Sequence, residues 1–266
     1  MEKLEHPLLI VDWVNALVAP LFRALGWHVV IPNYLVMCGI IVVAFLILGL
    51  LLRSRLSVEN PSRFQIVLED MVLAVVGILE QFLGSRGREF LPIIGTLGAF
   101  VLVGNYMGLI PGFMAPTSNI NVTAACAVVA WVYYHLNGIR TQGVVSYFKH
   151  FMGPSGVPIV MVPIMLVVEL ISHCSRVLSL TLRLFGNIFG EELVILILGL
   201  IVPFFAPLPM MALGLVTGAL QAFIFVLLPT IYLQGAIMVD HHDGDHAAAD
   251  GHDAHAPHGH AAAVAA

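Results

Sequence analysis

Residues 167–195 read VVELISHCSRVLSLTLRLFGNIFGEELVI. The stretch is strongly apolar, yet it carries Glu169, His173, Arg176, Arg183, Glu191 and Glu192. Nothing in it breaks a helix, and no alternation of period two marks a strand. Glu169, Arg176 and Arg183 recur every seven residues. At 3.6 residues per turn that spacing returns almost to the same angle, so the three share one face. Ser172, Ser179 and Asn187 extend the same stripe. A long apolar helix with one polar line along it belongs in a membrane, where ionisable groups are costly and mark function.

The rest of the chain agrees. Of its 266 residues 59% are hydrophobic and 10% charged, and the mean hydropathy is +0.97. Soluble domains carry about a quarter charged residues. Several apolar runs reach the roughly 20 residues a helix needs to cross about 30 Å of hydrocarbon. Backbone groups in lipid pair internally, and continuous rather than alternating apolarity argues against a β-barrel. The fold class is therefore an all-α integral membrane protein. The formal net charge of −5 comes with no basic patch for nucleic acid. Cys38, Cys126 and Cys174 all lie in apolar runs, as packed residues rather than a disulfide framework or metal site. The opening MEKLEHPLLI lacks the basic n-region of a signal peptide.

Along the chain, residues 8–25 place Asp12, Asn15 and Arg23 on nearly one face, which predicts an interfacial helix. Spans are predicted at about 34–52, with Asn33 as N-cap, and at about 89–109 and 119–137. Residues 62–83 follow an Asn60-Pro61 start signal. They bring Gln65, Glu69 and Glu80 close to one face, which predicts a second interfacial helix. Residues 139–155, with Arg140 and Lys149, read as a loop. Two long stretches, about 157–201 and 206–238, flank PFFAPLP with Pro203, Pro207 and Pro209. A helix over 157–201 is roughly 65 Å long at 1.5 Å per residue, so it is either broken or strongly tilted. The expectation is five membrane-embedded helices, the last two a tilted antiparallel hairpin, within a single membrane domain over residues 1–239. Arg53, Arg55, Arg63, Arg86, Arg88, Arg140 and Lys149 gather on one side, against Lys3 and Arg23 on the other. That bias puts the N-terminus outside and the C-terminus in the cytoplasm. Residues 240–266 hold seven of the 12 histidines in a low-complexity Ala/Asp/His sequence and read as a disordered tail.

Arg176 has Glu169 as a candidate ion-pair partner one stripe position away. Arg183 is different. Glu191 and Glu192 lie about two turns on and are rotated away, which leaves it without an obvious partner on its own helix. A guanidinium stays charged and cannot itself carry a proton, but it can hold a neighbouring carboxylate ionised.

The string Leu182-Arg183-Leu184-Phe185-Gly186-Asn187 resembles a signature of subunit a of F-type ATP synthases, as does Leu220-Gln221-Ala222-Phe223-Ile224-Phe225. Asn105 before the Pro111 turn and PTSNINVT after it resemble that family's third and fourth helices. Gly190-Glu191-Glu192-Leu193 is similar to the bacterial and chloroplast branch, and the resemblance covers about 33–239. It implies a non-catalytic stator subunit beside a ring of c subunits, with two offset half-channels. Its partners would be that proteolipid ring, b-type peripheral stalk subunits, the remaining synthase subunits and membrane lipid, with no cofactor. The setting would be a bacterial inner membrane. Arg183 would separate the half-channels; Asn187, Glu191, Glu192 and Gln221 would border the outer one; Glu169, Arg176 and Ser179 would border the inner one. Two positions depart from relatives: Gly214, where some carry a histidine, and Gly108, where some carry an acid. Without that histidine, Glu192 is left to water, Glu191 or another group. The chain has no GxxxxGK[ST] phosphate loop. A self-contained secondary transporter is the alternative, but it would show internal repeats, and none is visible.

Overall fold

The computed structural model describes residues 11–16, 31–57, 60–110, 112–151, 161–202 and 205–237. All regular structure among them is helical. Residues 11–16 form a helical turn inside the expected interfacial segment 8–25, whose remainder lies outside the described residues, as does the tail 240–266. Asn15 joins this turn to the first long helix: its amide donates to Ile31 O at 3.2 Å and accepts from Ile31 N at 3.1 Å.

That helix, α1 (Asn33–Arg55), begins after Pro32, which is the cap residue in place of the expected Asn33. Among its described side chains it buries Val36, Met37 and Ile41, which pack with Met107 and Val11. The second helix, α2 (Arg63–Leu83), starts two residues later than Pro61 suggested, because Ser62 Oγ accepts the Gln65 N–H at 3.2 Å. Gln65 is buried and returns to the preceding linker. Its amide accepts from Ser57 N at 3.3 Å and donates to Ser57 O at 3.1 Å and to Glu69 Oε1 at 2.7 Å. Glu80 meets Arg88 at 2.6 Å across the next turn. Gly84 closes α2 at φ 64°, a conformation other residues adopt only with strain.

Helix α3 (Gly87–Met107) follows at once. A 3₁₀ turn at Pro116–Ser118 leads to α4 (Ile120–Gln142), where Asn119 caps by accepting the Asn121 N–H at 3.0 Å. Much of the expected loop at 139–155 is helical. α4 runs to Gln142, and α5 (Val144–Phe151) follows Gly143. The helix forms here because Tyr147 is buried and anchored to His135 on α4.

Helix α6 (Val162–Ile201) is continuous over 40 residues, roughly 60 Å at 1.5 Å per residue. The break considered in the sequence does not occur over this range. Helix α7 (Pro207–Ile237) starts with Pro207 at its first position, where the missing N–H costs nothing, and accommodates Pro229 internally. Among the described residues four helical segments are long and apolar enough to cross a membrane: Asn33–Arg53, Ile120–Gln142, Val162–Ile201 and Pro207–Ile237.

The core sits where α3, α4, α6 and α7 meet. Val101, Cys126, Ala127, Leu180, Leu184, Ile188, Ala222 and Phe225 form one buried cluster. Small residues bring backbones close, as expected where lipid supplies no hydrophobic drive between helices. Gly98 lies directly against Val226, and Gly218 against Asn105 and Tyr106.

Candidate functional site

Arg183 stands near the middle of the 40-residue α6. It is exposed, and among the described residues its guanidinium makes no ion pair or hydrogen bond within the chain. Along its own face it stands between Ser179, exposed, and Asn187, half-buried, and the apolar side chains beside that line are open, with Leu178 60% exposed and Leu182 56%. The opposite face of the same turn is closed, with Leu180, Leu184 and Ile188 in the core. The seven-residue spacing therefore puts the arginine on the outer surface of the bundle.

Gln221 occupies the neighbouring helix but points inward. It is buried, and its amide nitrogen has no hydrogen-bond partner among the described residues. No bond joins it to Arg183. The two positions are close in depth all the same: Glu191 on α6 bonds Thr217 on α7, and the same register carried back to Arg183 comes within roughly one turn of Gln221.

Toward the C-terminal end of α6 the two acids take separate partners. Glu192 Oε1 accepts the Ala115 N–H at 3.1 Å, from the turn between α3 and α4. Glu191 Oε2 accepts the Thr217 hydroxyl on α7 at 3.1 Å. Gly108 and Gly214 make room for these groups. A Cβ at position 108 would lie 3.2 Å from Glu192 Oε1, and one at position 214 would overlap Glu191 Oε1. A backbone N–H thus holds Glu192. Beside them Asn105 accepts from Thr117 Oγ1 at 2.7 Å and donates to Gly218 O at 3.3 Å. Tyr106 OH donates to Leu215 O at 3.0 Å. Asn187 is half-buried between this group and Arg183.

At the other end Glu169 does not pair with Arg176. Its carboxylate lies 3.1 Å from His173 Nε2, one turn along. Arg176 instead sits over the Tyr232 ring, 4.8 Å from its centre, a cation–π contact. Ser179 is exposed between Arg176 and Arg183. His173 is buried, and its Nδ1 is joined to Tyr134 OH at 2.8 Å. His135 packs 4.8 Å from His173 and bonds Tyr147 OH at 2.5 Å. His173 stands out in the sequence as an ionisable group in an apolar span, whereas Tyr134, His135 and Tyr147 do not. A histidine inside an apolar span was the available signal, and it was obscured by reading Tyr147 as loop.

From Glu169 to Glu192 the line spans 23 residues of one helix, roughly 35 Å at 1.5 Å per residue. That matches the hydrocarbon thickness of about 30 Å. Helices of membrane length, the longest bearing ionisable groups from end to end, define an integral membrane protein of the ion-transporting class. The chain belongs to the ATP synthase A chain family, whose sequence model matches residues 34–234. It is 42% identical over 233 residues to ATP synthase subunit a of Citrifermentans bemidjiense, covering 87% of this chain and 97% of that one. It is 43% identical over 246 residues to ATP synthase subunit a of Syntrophobacter fumaroxidans, covering 88% and 98%. It is 41% identical over 237 residues to ATP synthase subunit a 1 of Pelobacter propionicus, covering 89% and 99%.

Proposed function

We propose that this chain is the stationary proton-conducting subunit of an F-type ATP synthase membrane sector, seated beside the c-subunit ring in a bacterial inner membrane. The observation that carries the reading is Arg183: mid-length on α6, exposed, flanked by exposed leucines, with no counter-charge among the described residues. An uncompensated charge in hydrocarbon is costly, so its place is opposite a carboxylate that another subunit brings to it. There Arg183 holds the passing carboxylate ionised and blocks direct leakage between two half-channels.

Glu191, Glu192, Asn187 and Gln221 border the outer half-channel in this reading, and Glu169, Arg176 and Ser179 the inner one. Five helices are embedded (α1, α3, α4, α6 and α7), with α2 interfacial. The N-terminus is outside and the C-terminus inside. Helices α6 and α7 form a tilted antiparallel hairpin against the ring, and b-type stalk subunits fix the chain to the rest of the synthase. The chain itself hydrolyses no nucleotide.

The test is ATP-driven proton pumping in inverted membrane vesicles carrying the whole complex. Arg183→Ala should abolish pumping while the ring and stalk still co-purify. Arg183→Lys should also fail badly, because ammonium lacks the planar fork and can lose its proton when desolvated. Near-normal pumping by either variant would remove the centre of the proposal.

A further inference from the structure

Glu169, His173 and Tyr134 form a continuous row from the surface into the bundle, Glu169 within ion-pair distance of His173 and His173 hydrogen-bonded to Tyr134. Glu169 is a third exposed, whereas His173 and Tyr134 are buried. Both imidazole nitrogens of His173 are engaged, Nε2 by the carboxylate at 3.1 Å and Nδ1 by the phenol at 2.8 Å. An imidazole held this way is oriented by one partner and exchanges a proton with the other.

The groups around it are charged or titratable on every packed element. Glu169 and Arg176 come from α6, Tyr134 and His135 from α4, Tyr147 from α5 and Tyr232 from α7. The two imidazole rings lie 4.8 Å apart. Two imidazoliums that close repel strongly, so the ring pair holds at most one added proton. Arg176 is drawn aside onto Tyr232, which leaves the Glu169 carboxylate to the histidine.

We propose that Glu169 and His173 act as one proton-exchange unit at the inner end of the path, with Tyr134 as the positioning residue that orients the ring. This rests on the reading of the chain as a proton-conducting subunit. During pumping, a proton from the inner aqueous phase adds to the Glu169 carboxylate. It moves to His173 Nε2 as the carboxylate is regenerated, with Nδ1–H donating to Tyr134 O. It then returns through Glu169 to water farther along the stripe. The unit thus collects protons where they are scarce and gives them up one at a time, and no other reactant is needed.

The experiment measures initial rates of ATP-driven pumping in inverted vesicles with the whole complex, whose inner face looks onto the buffer. The buffer runs from about pH 6 to about pH 8.5, spanning the usual imidazole range. Each variant is expressed as a ratio to wild type at the same pH, which cancels the pH response of ATP hydrolysis. For His173→Gln the ratio should fall by about tenfold or more toward high pH, the order of an acid–base contribution. A flat ratio, whether near one or uniformly low, would overturn the proposal, because a merely structural role lowers the rate equally at every pH. If His173→Gln does not assemble, Tyr134→Phe decides: a falling ratio supports the unit and a flat one overturns it. Arg183→Ala run alongside separates the two levels. Wild-type pumping by that control sinks the functional reading, whereas a dead control with flat His173 and Tyr134 ratios sinks only this inference.

Discussion

Glu191 and Gly214 share one space: the carboxylate of Glu191 on α6 stands where a side chain on residue 214 of α7 would begin. The other carboxylate oxygen takes the Thr217 hydroxyl at 3.1 Å, so the group is fixed from two sides of one α7 turn. Gly214→Ala should therefore swing the Glu191 carboxylate, the far end of a flexible side chain, away from Thr217. Losing a hydrogen bond to a charged group costs about 1.5–3 kcal/mol. Pumping should fall severalfold, and the double variant Gly214→Ala with Glu191→Ala should pack better than Gly214→Ala alone. Thermal stability of the detergent-solubilised complex measures this directly. Additive losses in the double variant would show that the two residues do not compete for that volume.

Glu192 lies on the other side of the pair, against the α3–α4 turn. Glu192→Gln keeps an oxygen for the Ala115 N–H but removes the exchangeable proton. The complex should assemble normally and pump at a clearly reduced rate. Glu191 is near enough to substitute in part, so Glu191→Gln with Glu192→Gln should be lower still. Wild-type rates in the double variant would place proton entry elsewhere.

How far the sequence discloses this site depends on which kind of signal each residue carries. The polar line on α6 was legible because seven-residue spacing fixes a helix face without tertiary information. The exposure of Arg183 follows from that spacing once Leu180 and Leu184 are known to be buried. The roles of Gly108 and Gly214 were not legible, since a missing side chain leaves no mark except the neighbour that fills its place. Glu169 illustrates the competing choice. Periodicity offered Arg176 at seven residues, but His173 at four lies closer on the helix, and Tyr232 on α7 draws Arg176 away. The helix at 144–151 was hidden for a related reason: its anchor is the contact between Tyr147 and His135, and short amphipathic segments of this sort read as loop until that partner is seen.

The turn between α2 and α3 allows a test of the fold apart from transport. A Cβ on Gly87 would fall 2.6 Å from the Leu79 carbonyl carbon, which is backbone and cannot rotate away. Gly87→Ala should push α3 off α2, strain the Glu80–Arg88 contact and destabilise the chain by about 1–3 kcal/mol. Gly77→Ala, on α2 with open space around it, should be neutral or slightly stabilising through helix propensity. Yield and melting temperature of the two variants compare them. Equal behaviour would mean that the close approach at Gly87 is relieved cheaply.

Arg183 and Gln221 lie at similar depth on different faces, one exposed and the other buried with an unpartnered amide nitrogen. Depth and face make different predictions for exchanging them. Arg183→Gln alone removes the charge and should leave essentially no coupled pumping. In the double variant with Gln221→Arg, the charge starts from the buried face of α7. The arginine stem is long and flexible enough to run along apolar surface and bring its head out toward the lipid side, as long cationic side chains do. The charge then returns to about its original depth, and part of the pumping should return with it. The cost is packing around Ala222 and Phe225, so recovery should be incomplete. Proton pumping by the single and double variants, with assembly checked by co-purification of the ring, decides between depth and face. A double variant that assembles normally and is as inactive as the single one would show that the guanidinium must leave from α6, and that depth alone is insufficient.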